Sequence, residues 1–170
     1  MKTGVILLIL AVLLLAGGGM FLLAGRQIWE RVAGPFPDRV IDFADLRRED
    51  KPNSFLMCPA GMCEGADASS PVFPVTVDRL QDVFLSIVRT APRLRATAAD
   101  EAARQYDFVQ YSRLMGFPDS ITIRFIGMGE GKASFAIFSR AHIGYSDFGV
   151  NRARVRGWVA VLDKALAAEE

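Results

Sequence analysis

The stretch ITIRFIGMGEGKASFAI, residues 121–137, decides the fold, because it has the pattern of two strands joined by a tight turn. Ile121, Ile123 and Phe125 alternate with polar residues, and Phe135 and Ile137 repeat the alternation after the turn. A period of two is typical of a strand with one buried face. Glycines at positions 127, 129 and 131 predict the hairpin between the two runs. An antiparallel sheet is therefore expected at the centre of the domain.

Two further strands and two helices are predicted around this hairpin. Strands at residues 93–98 and 105–115 precede it, and a polar turn separates them. A first helix follows Thr76, which can cap it, and ends before Pro92. Its apolar face consists of Val77, Leu80, Phe84, Ile87 and Val88. The last helix carries the apolar stripe Val155, Val159, Leu162 and Leu166, with Trp158 beside it and Arg152, Arg156, Asp163 and Lys164 outside. The order helix, four antiparallel strands, helix predicts a two-layer α+β sandwich with both helices on one face.

Residues 4–25 form an apolar segment with no ionisable side chain between Lys2 and Arg26. As a helix the segment is roughly 33 Å long, against about 30 Å for the hydrocarbon core of a bilayer. This length predicts a transmembrane signal-anchor at residues 1–25, in contact with the lipid bilayer. The alternative is a cleaved signal peptide with its apolar part at residues 4–16. A lipoprotein is disfavoured, because Arg26 stands where the lipidated Cys belongs.

The side of the membrane that carries the domain is indicated by two opposed signals. Arg26, Arg31 and Arg39 follow the apolar segment, and basic residues at that position favour the cytoplasm. A short N-terminal tail with one Lys is instead typical of an exported signal-anchor. Cys58 and Cys63 are close enough in sequence to form a disulfide, which would persist in an oxidising compartment. We expect an exported domain, with a cytoplasmic domain and two free thiols as the alternative.

Residues 26–52 combine charges with prolines and predict a juxtamembrane linker before a folded domain at residues 53–170. The apolar cluster of this linker consists of Val40, Ile41, Phe43 and Leu46. The cluster predicts one element docked on the domain. The alternative is a short amphipathic segment that lies on the membrane surface.

Composition excludes several classes of function. The 20 Lys and Arg are matched by 19 Asp and Glu, so the net charge of +1 gives no basic surface for nucleic acid. Four residues separate Cys58 from Cys63, which is too many for a redox CxxC pair. The single His leaves a four-ligand zinc site without partners. Neither a metal nor a cofactor is expected.

Two stretches imitate catalytic motifs. GMGEGK, residues 127–132, is similar to a phosphate-binding loop, but the glycine spacing is short and a strand follows it. GYSDFG, residues 144–149, is similar to a nucleophile elbow with the second glycine displaced by one position. Capping of the last helix by Ser146 or Asp147 accounts for this loop without chemistry. Any Ser–His or Cys–His mechanism must use His142, the only histidine, for which a structural or surface role is expected.

The segments SRAHIGYSDFGVNRARV, residues 139–155, and SRLMGFPDSITIRF, residues 112–125, resemble the C-terminal signature of the family called domain of unknown function 1499. Residues 52–63 and 105–110 resemble the membrane-anchored bacterial branch of that family, and the resemblance covers residues 40–166. His142 stands where many members have Arg, and Ser120 stands where a second acidic residue is common. The resemblance implies a small envelope-associated domain at the bacterial inner membrane, without an established activity or cofactor.

A group of polar residues is predicted to converge at the end of the sheet that precedes the last helix. Its members are Arg113, Asp119, His142, Tyr145, Asn151 and Arg152. The favoured interpretation is an Arg and Asp network that pins the helix to the strand ends. The hypothesis kept beside it is a pocket for an anionic or polar small-molecule ligand of unknown identity. The trio Arg152, Arg154 and Arg156 is expected to fan around the helix and to face solvent.

Three classes of function follow from the sequence. The favoured class is a membrane-tethered envelope protein that binds or assists an envelope partner without catalysis. The second is an enzyme that uses the loop at residues 144–152 together with His142. The third is a structural subunit of an inner-membrane complex, which holds its partner through Gly17, Gly18 and Gly19 in the bilayer.

Overall fold

The computed structural model describes residues 40–168 together with Gly4, Ile6, Leu7, Leu10, Val12, Leu13, Gly17 and Trp29. The elements named in this part of the chain are, in order, β1 (Ser54–Cys58), β2 (Ala68–Ser69), α1 (Val77–Arg89), β3 (Leu94–Asp100), β4 (Gln105–Tyr111), β5 (Pro118–Gly129), β6 (Lys132–Ala141) and α2 (Val150–Ala167). The predicted α+β class is confirmed.

The strands form one sheet in the order β2-β1-β6-β5-β4-β3. Strands β3 to β6 make the antiparallel meander that the sequence predicted. The prediction of a four-stranded, purely antiparallel sheet was nevertheless wrong. Strand β1 pairs antiparallel with β6, and β2 pairs parallel with β1, so the sheet has six strands and is mixed. Two strands therefore precede the first helix, which the predicted order had placed first.

Strand β1 escaped prediction because both of its faces are buried. Phe55 and Met57 face the helices, whereas Leu56 and Cys58 belong to a second cluster on the opposite face. A strand buried on both sides is a continuous apolar run and lacks the period of two. Strand β2 has only two residues and therefore shows no periodicity at all.

The β5–β6 hairpin has the register that its sequence predicts. Ile123 pairs with Ile137 and Phe125 pairs with Phe135, so the large apolar side chains share one face. Glu130 has a positive φ of 49° in the turn, between Gly129 and Gly131, which are also positive. Glycine adopts this conformation without the steric penalty that other residues meet.

Both helices pack on the face of the sheet that carries these side chains. Thr76 caps α1 by accepting a hydrogen bond from the backbone N–H of Arg79 at 3.3 Å. The Phe84 ring of α1 contacts Phe135 edge-on, with the ring centroids 4.8 Å apart. Helix α2 buries Val155, Leu162 and Leu166 in the same cluster, as its predicted stripe requires.

The opposite face of the sheet is partly covered by the chain that precedes β1. Ile41 and Phe43 are buried there against Leu56 and Phe138. The Gln105 side-chain amide donates to the carbonyl oxygen of Ile41 at 3.0 Å. A second, smaller core therefore lies behind the sheet.

The predicted transmembrane segment at residues 4–25 lies mostly outside the described residues. A search of the described residues finds no helix that combines the length and apolarity needed to cross a bilayer. The segment's described apolar residues have helical backbone and exposed side chains; they are Ile6, Leu7, Leu10, Val12 and Leu13. The anchor stays a prediction.

Candidate functional site

Arg154 on helix α2 holds three neighbouring strands together at one end of the sheet. Its Nε donates to Oε1 of Gln110 on β4 at 2.6 Å. Its Nη2 donates to Oδ2 of Asp119 on β5 at 2.5 Å, and its Nη1 donates to Oγ of Ser139 on β6 at 2.9 Å. Nη1 also donates to Oδ1 of Asn151, one helical turn earlier. We call these five residues the Arg154 network.

Sheet register places the strand residues of the network opposite the helix. Gln110 pairs with Asp119, and Ser139 pairs with Ile121 of the helix-facing core. Because side chains alternate between the faces of a strand, all three polar groups lie on the side that carries α2. A planar guanidinium has several donors in a fixed arrangement, so one Arg can bond all of them.

Asn151 extends the network to the start of β1. The Asn151 side chain is fully buried, and its Oδ1 accepts from Oγ of Ser139 at 2.6 Å. Its Nδ2 donates to the carbonyl oxygen of Asn53 at 3.2 Å and to Oδ2 of Asp147 at 2.7 Å. The Asn53 amide in turn donates to the carbonyl oxygen of Ala141 at 3.3 Å. Helix α2 is thereby fixed to three strands, to Asn53 just before β1, and to the loop before the helix.

The network is shielded from solvent. The side chains of Arg154 and Asp119 are only 9% and 13% exposed. Burial raises the pKa of the Asp119 carboxyl above its ordinary value, while the Arg154 guanidinium opposes the rise and Asp147 adds to it. Within the described residues, every buried side-chain nitrogen and oxygen has a hydrogen-bond partner. The polar groups of the network are therefore satisfied by one another.

The loop before α2 is closed by Asp147. Its Oδ1 accepts from the backbone N–H of Gly149 at 3.0 Å, and its Oδ2 accepts from the N–H of Asn151 at 2.7 Å. A carboxylate at this place satisfies amides that have no partner within the helix. Ser146 accepts from the N–H of Phe148 at 3.2 Å and stays within the loop.

Two of the six residues predicted to form a polar pocket, Asp119 and Asn151, belong to the Arg154 network. Arg152 lies on the exposed side of α2, with its guanidinium carbon 5.3 Å from the centre of the Phe55 ring. Arg113 and Tyr145 are exposed on separate loops. These three side chains therefore do not take part in the Arg154 network.

His142 lies on the other face of the sheet. Its Nε2 is hydrogen-bonded to Oγ of Ser120, which is only 5% exposed. Ser120 is two residues from Thr122 along β5, and His142 is four residues from Phe138 along β6. Because side chains alternate between the two faces of a strand, all four lie on the face opposite the helices. A cavity of about 170 Å³ borders His142, Asn53 and Ser54.

Arg154 is the central residue that the sequence interpretation missed. The two-residue spacing of the arginines predicts that it faces solvent with Arg152 and Arg156, as three side chains around the helix. The available signal is helical spacing, since Arg154 follows Asn151 by three residues and precedes Trp158 by four. That spacing places it beside the apolar stripe, whereas Arg152 and Arg156 both lie over the Phe55 ring.

A mainly apolar groove of about 620 Å³ lies next to the network, and we call it the loop groove. Phe117, Ile143, Tyr145, Phe148 and Val150 border it. Tyr145 is 69% exposed and Phe148 is 96% exposed. Two aromatic side chains thus face solvent at the edge of one groove.

Trp29 contacts the same end of the sheet. Its indole N–H donates to the carbonyl oxygen of Met115 at 2.8 Å, in the loop between β4 and β5. Its ring meets Phe117 edge-on, with the centroids 5.1 Å apart. Phe117 therefore contacts Trp29 and also borders the loop groove.

The two cysteines lie on the side of the sheet away from the helices. Cys58 and Cys63 are joined as a disulfide, with their Cα atoms 6.0 Å apart. Cys58 is buried with Leu56 in the second core. Within the described residues, no group of three His, Cys, Asp or Glu side chains could hold a metal ion.

These features define an α+β sheet domain whose last helix is fixed by a buried polar network beside an apolar groove. The chain belongs to the family described as "Protein of unknown function (DUF1499)", whose model matches residues 47–162. This confirms the family resemblance found in the sequence, and the whole Arg154 network falls within the matched residues.

The chain was also compared with the curated proteins and with the solved structures. A search of the curated proteins gives no match. The structure is similar to that titled "Crystal structure of Ara h 8.0201", with a TM-score of 0.45 and 12% sequence identity over 68% of this chain and 97% of that chain. A TM-score of this size supports no conclusion about ligand or function.

Proposed function

We propose that the chain is a membrane-tethered accessory protein of the bacterial cell envelope, whose domain binds a partner and does not catalyse a reaction. The observation that carries this proposal is the Arg154 network. Of the six polar residues predicted to form a ligand pocket, Asp119 and Asn151 instead bond within this network, which Arg154, Gln110 and Ser139 complete and which fixes α2 to the sheet. They serve as a scaffold, so recognition is left to the surface of the domain.

The tether is supported by the N-terminal segment. Residues 4–25 contain no ionisable side chain, and their length as a helix, roughly 33 Å, matches a bilayer. Ile6, Leu7 and Leu13 are each more than half exposed, so the folded domain does not cover them. A lipid environment would remove these side chains from water.

A periplasmic location is supported by Cys58 and Cys63. Their Cα separation of 6.0 Å is within the range that a disulfide spans. Disulfides persist in the periplasm and are kept reduced in the bacterial cytoplasm. The arginines that follow the apolar segment favour the opposite orientation, so topology is the decisive measurement.

The test uses fusions after Glu170 of the full chain. We expect the fusion to alkaline phosphatase to be active, because phosphatase folds only after export. The fusion to green fluorescent protein should not fluoresce. Membranes should retain the chain after extraction with alkaline carbonate, and deletion of residues 4–25 should release it. A fluorescent fusion contradicts the periplasmic location, and carbonate release of the full chain contradicts the tether.

The partner is tested by cross-linking in intact cells, followed by pull-down of the full chain from solubilised membranes. We propose an envelope protein as the partner, which should be recovered with the full chain. A chain whose segment 4–25 is replaced by an unrelated transmembrane helix serves as the control. Recovery of the partner with this control assigns binding to the domain, and loss of the partner assigns it to the glycines of the segment.

A catalytic function has one observation in its favour, the hydrogen bond between Ser120 Oγ and His142 Nε2. Such a pair is the first requirement for an activated serine. Against it, Ser120 is almost completely buried. The binding proposal predicts that a fluorophosphonate probe leaves the protein unlabelled. Labelling that disappears in Ser120→Ala and persists in Ser146→Ala establishes a serine hydrolase site at this pair.

A further inference from the structure

Exposed apolar side chains are concentrated at one end of the sheet. Leu114 extends from the loop between β4 and β5, Tyr145 and Phe148 extend from the loop between β6 and α2, and Val150 is the first residue of α2. All four side chains are more than half exposed. Single exposed apolar residues are common on soluble proteins, but a group of them beside a groove indicates an interaction surface. We call Leu114, Phe117, Tyr145, Phe148 and Val150 the apolar end.

Trp29, which follows the apolar segment by four residues, contacts the apolar end. Trp29 contacts Met115 and Phe117 of the loop between β4 and β5. Four steps of chain separate Trp29 from residue 25, the last residue of the apolar segment, and four residues span at most about 14 Å. The apolar end therefore lies next to the point where the predicted anchor leaves the bilayer.

We propose that the apolar end docks on the lipid surface, with Tyr145 and Phe148 inserted at the level of the headgroups. This proposal rests on the membrane tether proposed above. Aromatic side chains are enriched at membrane–water interfaces, where an apolar ring and a polar neighbour are both accommodated. Strand β5 begins at Pro118 and strand β6 terminates at Ala141, both beside the apolar end. In the docked domain the sheet therefore extends away from the bilayer.

Phe148 is the clearest candidate for insertion. Its ring is 96% exposed, and its backbone φ of 54° lies in the left-handed region, which bulky residues rarely adopt. The Asp147 side chain beside it holds this turn through the amides of Gly149 and Asn151. The loop thus presents an aromatic ring to the surroundings on a fixed backbone, and burial in lipid would remove that ring from water.

The charges around the apolar end agree with a lipid surface. Arg113 is exposed next to Leu114, and Arg26 and Arg31 lie within three residues of Trp29 in the sequence, with Glu30 between Trp29 and Arg31. Basic side chains beside an apolar surface are attracted to anionic headgroups. The acidic residues near the groove are engaged within the protein, Asp119 by Arg154 and Asp147 by backbone amides. The carboxylates are therefore partly neutralised before they approach the lipid.

The test measures quenching of tryptophan fluorescence by lipid. The full chain is reconstituted into vesicles of phosphatidylcholine and phosphatidylglycerol, with bromine on the acyl chains near the headgroup. Phe148→Trp should add blue-shifted emission that loses most of its intensity in the brominated vesicles. Val161→Trp is the matched control, since Val161 is exposed on α2 away from this end. The emission that it adds should be water-like and unquenched.

Three other outcomes overturn lipid docking. Water-like, unquenched emission from Phe148→Trp contradicts it, while retention of that protein in vesicles after carbonate treatment leaves the tether intact. Blue-shifted emission without quenching shows that a second copy of this chain covers the surface instead of lipid. Release of the full chain by carbonate removes the tether and this proposal together.

Discussion

Oδ2 of Asp119 and Nη2 of Arg154 lie 2.5 Å apart, in an ion pair that joins strand β5 to helix α2. The pair is largely removed from solvent, and Gln110, Ser139 and Asn151 take up the other donors of the guanidinium. A buried pair adds little net stability relative to a well-packed apolar pair, but removal of one member leaves an uncompensated charge. The position of α2 therefore depends on both residues.

Arg154→Ala is expected to lower the free energy of unfolding by about 3–5 kcal/mol, because Asp119 is left buried without its partner. Arg152→Ala is the control on the same helix, and it should cost about 1–2 kcal/mol, because the exposed Arg152 side chain loses its cation–π contact with the buried Phe55 ring. Urea unfolding of the detergent-solubilised full chain measures both. Equal losses in the two variants would contradict the assignment of Arg154 as the residue that fixes α2.

Asn151→Asp tests the polar continuation toward β1. The new carboxylate replaces the amide that donates to Asn53 and Asp147, so it faces Asp147 at close range. We expect a loss of about 2–4 kcal/mol at neutral pH from the two missing hydrogen bonds. Adding Asp147→Asn to this variant restores one amide and one carboxylate, and should recover part of the loss. A double variant less stable than Asn151→Asp alone would exclude a direct contact between the two side chains.

Most of the fold could be predicted from the local periodicity of apolar residues. The hairpin of Ile121 to Ile137 and the stripe of Val155, Leu162 and Leu166 depend on neighbours along the chain, so alternation and helical spacing reveal them. Strand β1 shows no such periodicity, because Phe55 and Leu56 are buried on opposite faces and the run has no polar side. The pairing of β1 with β6 is set by residues 80 or more positions apart.

The candidate site was only partly accessible from sequence for a similar reason. Asp119 and Asn151 were singled out, but Gln110 and Ser139 are ordinary polar residues until the register of β4, β5 and β6 places them opposite α2. Arg154 was expected to face solvent, because arginines at two-residue spacing fan around a helix and a solvated face is the usual place for them. The contact between Ser120 and His142 likewise exists only through pairing of β5 with β6.

The raised pKa of the Asp107 carboxyl predicts how the free energy of unfolding depends on pH. Burial raises the pKa of the Asp107 carboxyl, and the hydrogen bond from Thr122 Oγ1 at 2.5 Å opposes the rise. The folded protein thus binds this proton more tightly than the unfolded chain. The stabilising contribution is complete below the unfolded pKa of about 3.9 and is lost as pH rises through the folded pKa.

Asp107→Asn removes this titration and keeps an oxygen that accepts from Thr122. The free energy of unfolding of the variant, minus that of the wild type, should therefore increase as pH rises from about 4 toward neutrality. Urea midpoints at acidic, intermediate and neutral pH measure the difference. Asp119 titrates in both proteins, so its contribution cancels. A difference that is constant or decreases with pH contradicts the raised pKa.

Reduction of the Cys58–Cys63 disulfide should lower the free energy of unfolding by about 2 kcal/mol, the chain-entropy value for so short a loop. The double variant Cys58→Ala and Cys63→Ala should show at least that loss, since Cys58 is also buried in the second core, and should not respond to dithiothreitol. Urea unfolding with and without reductant measures both. Cells quenched with acid and then denatured are treated with a maleimide polymer, which reports the redox state of both cysteines. An unmodified wild-type chain that becomes reactive only after reduction supports export, whereas modification without reductant shows free thiols and contradicts the periplasmic location.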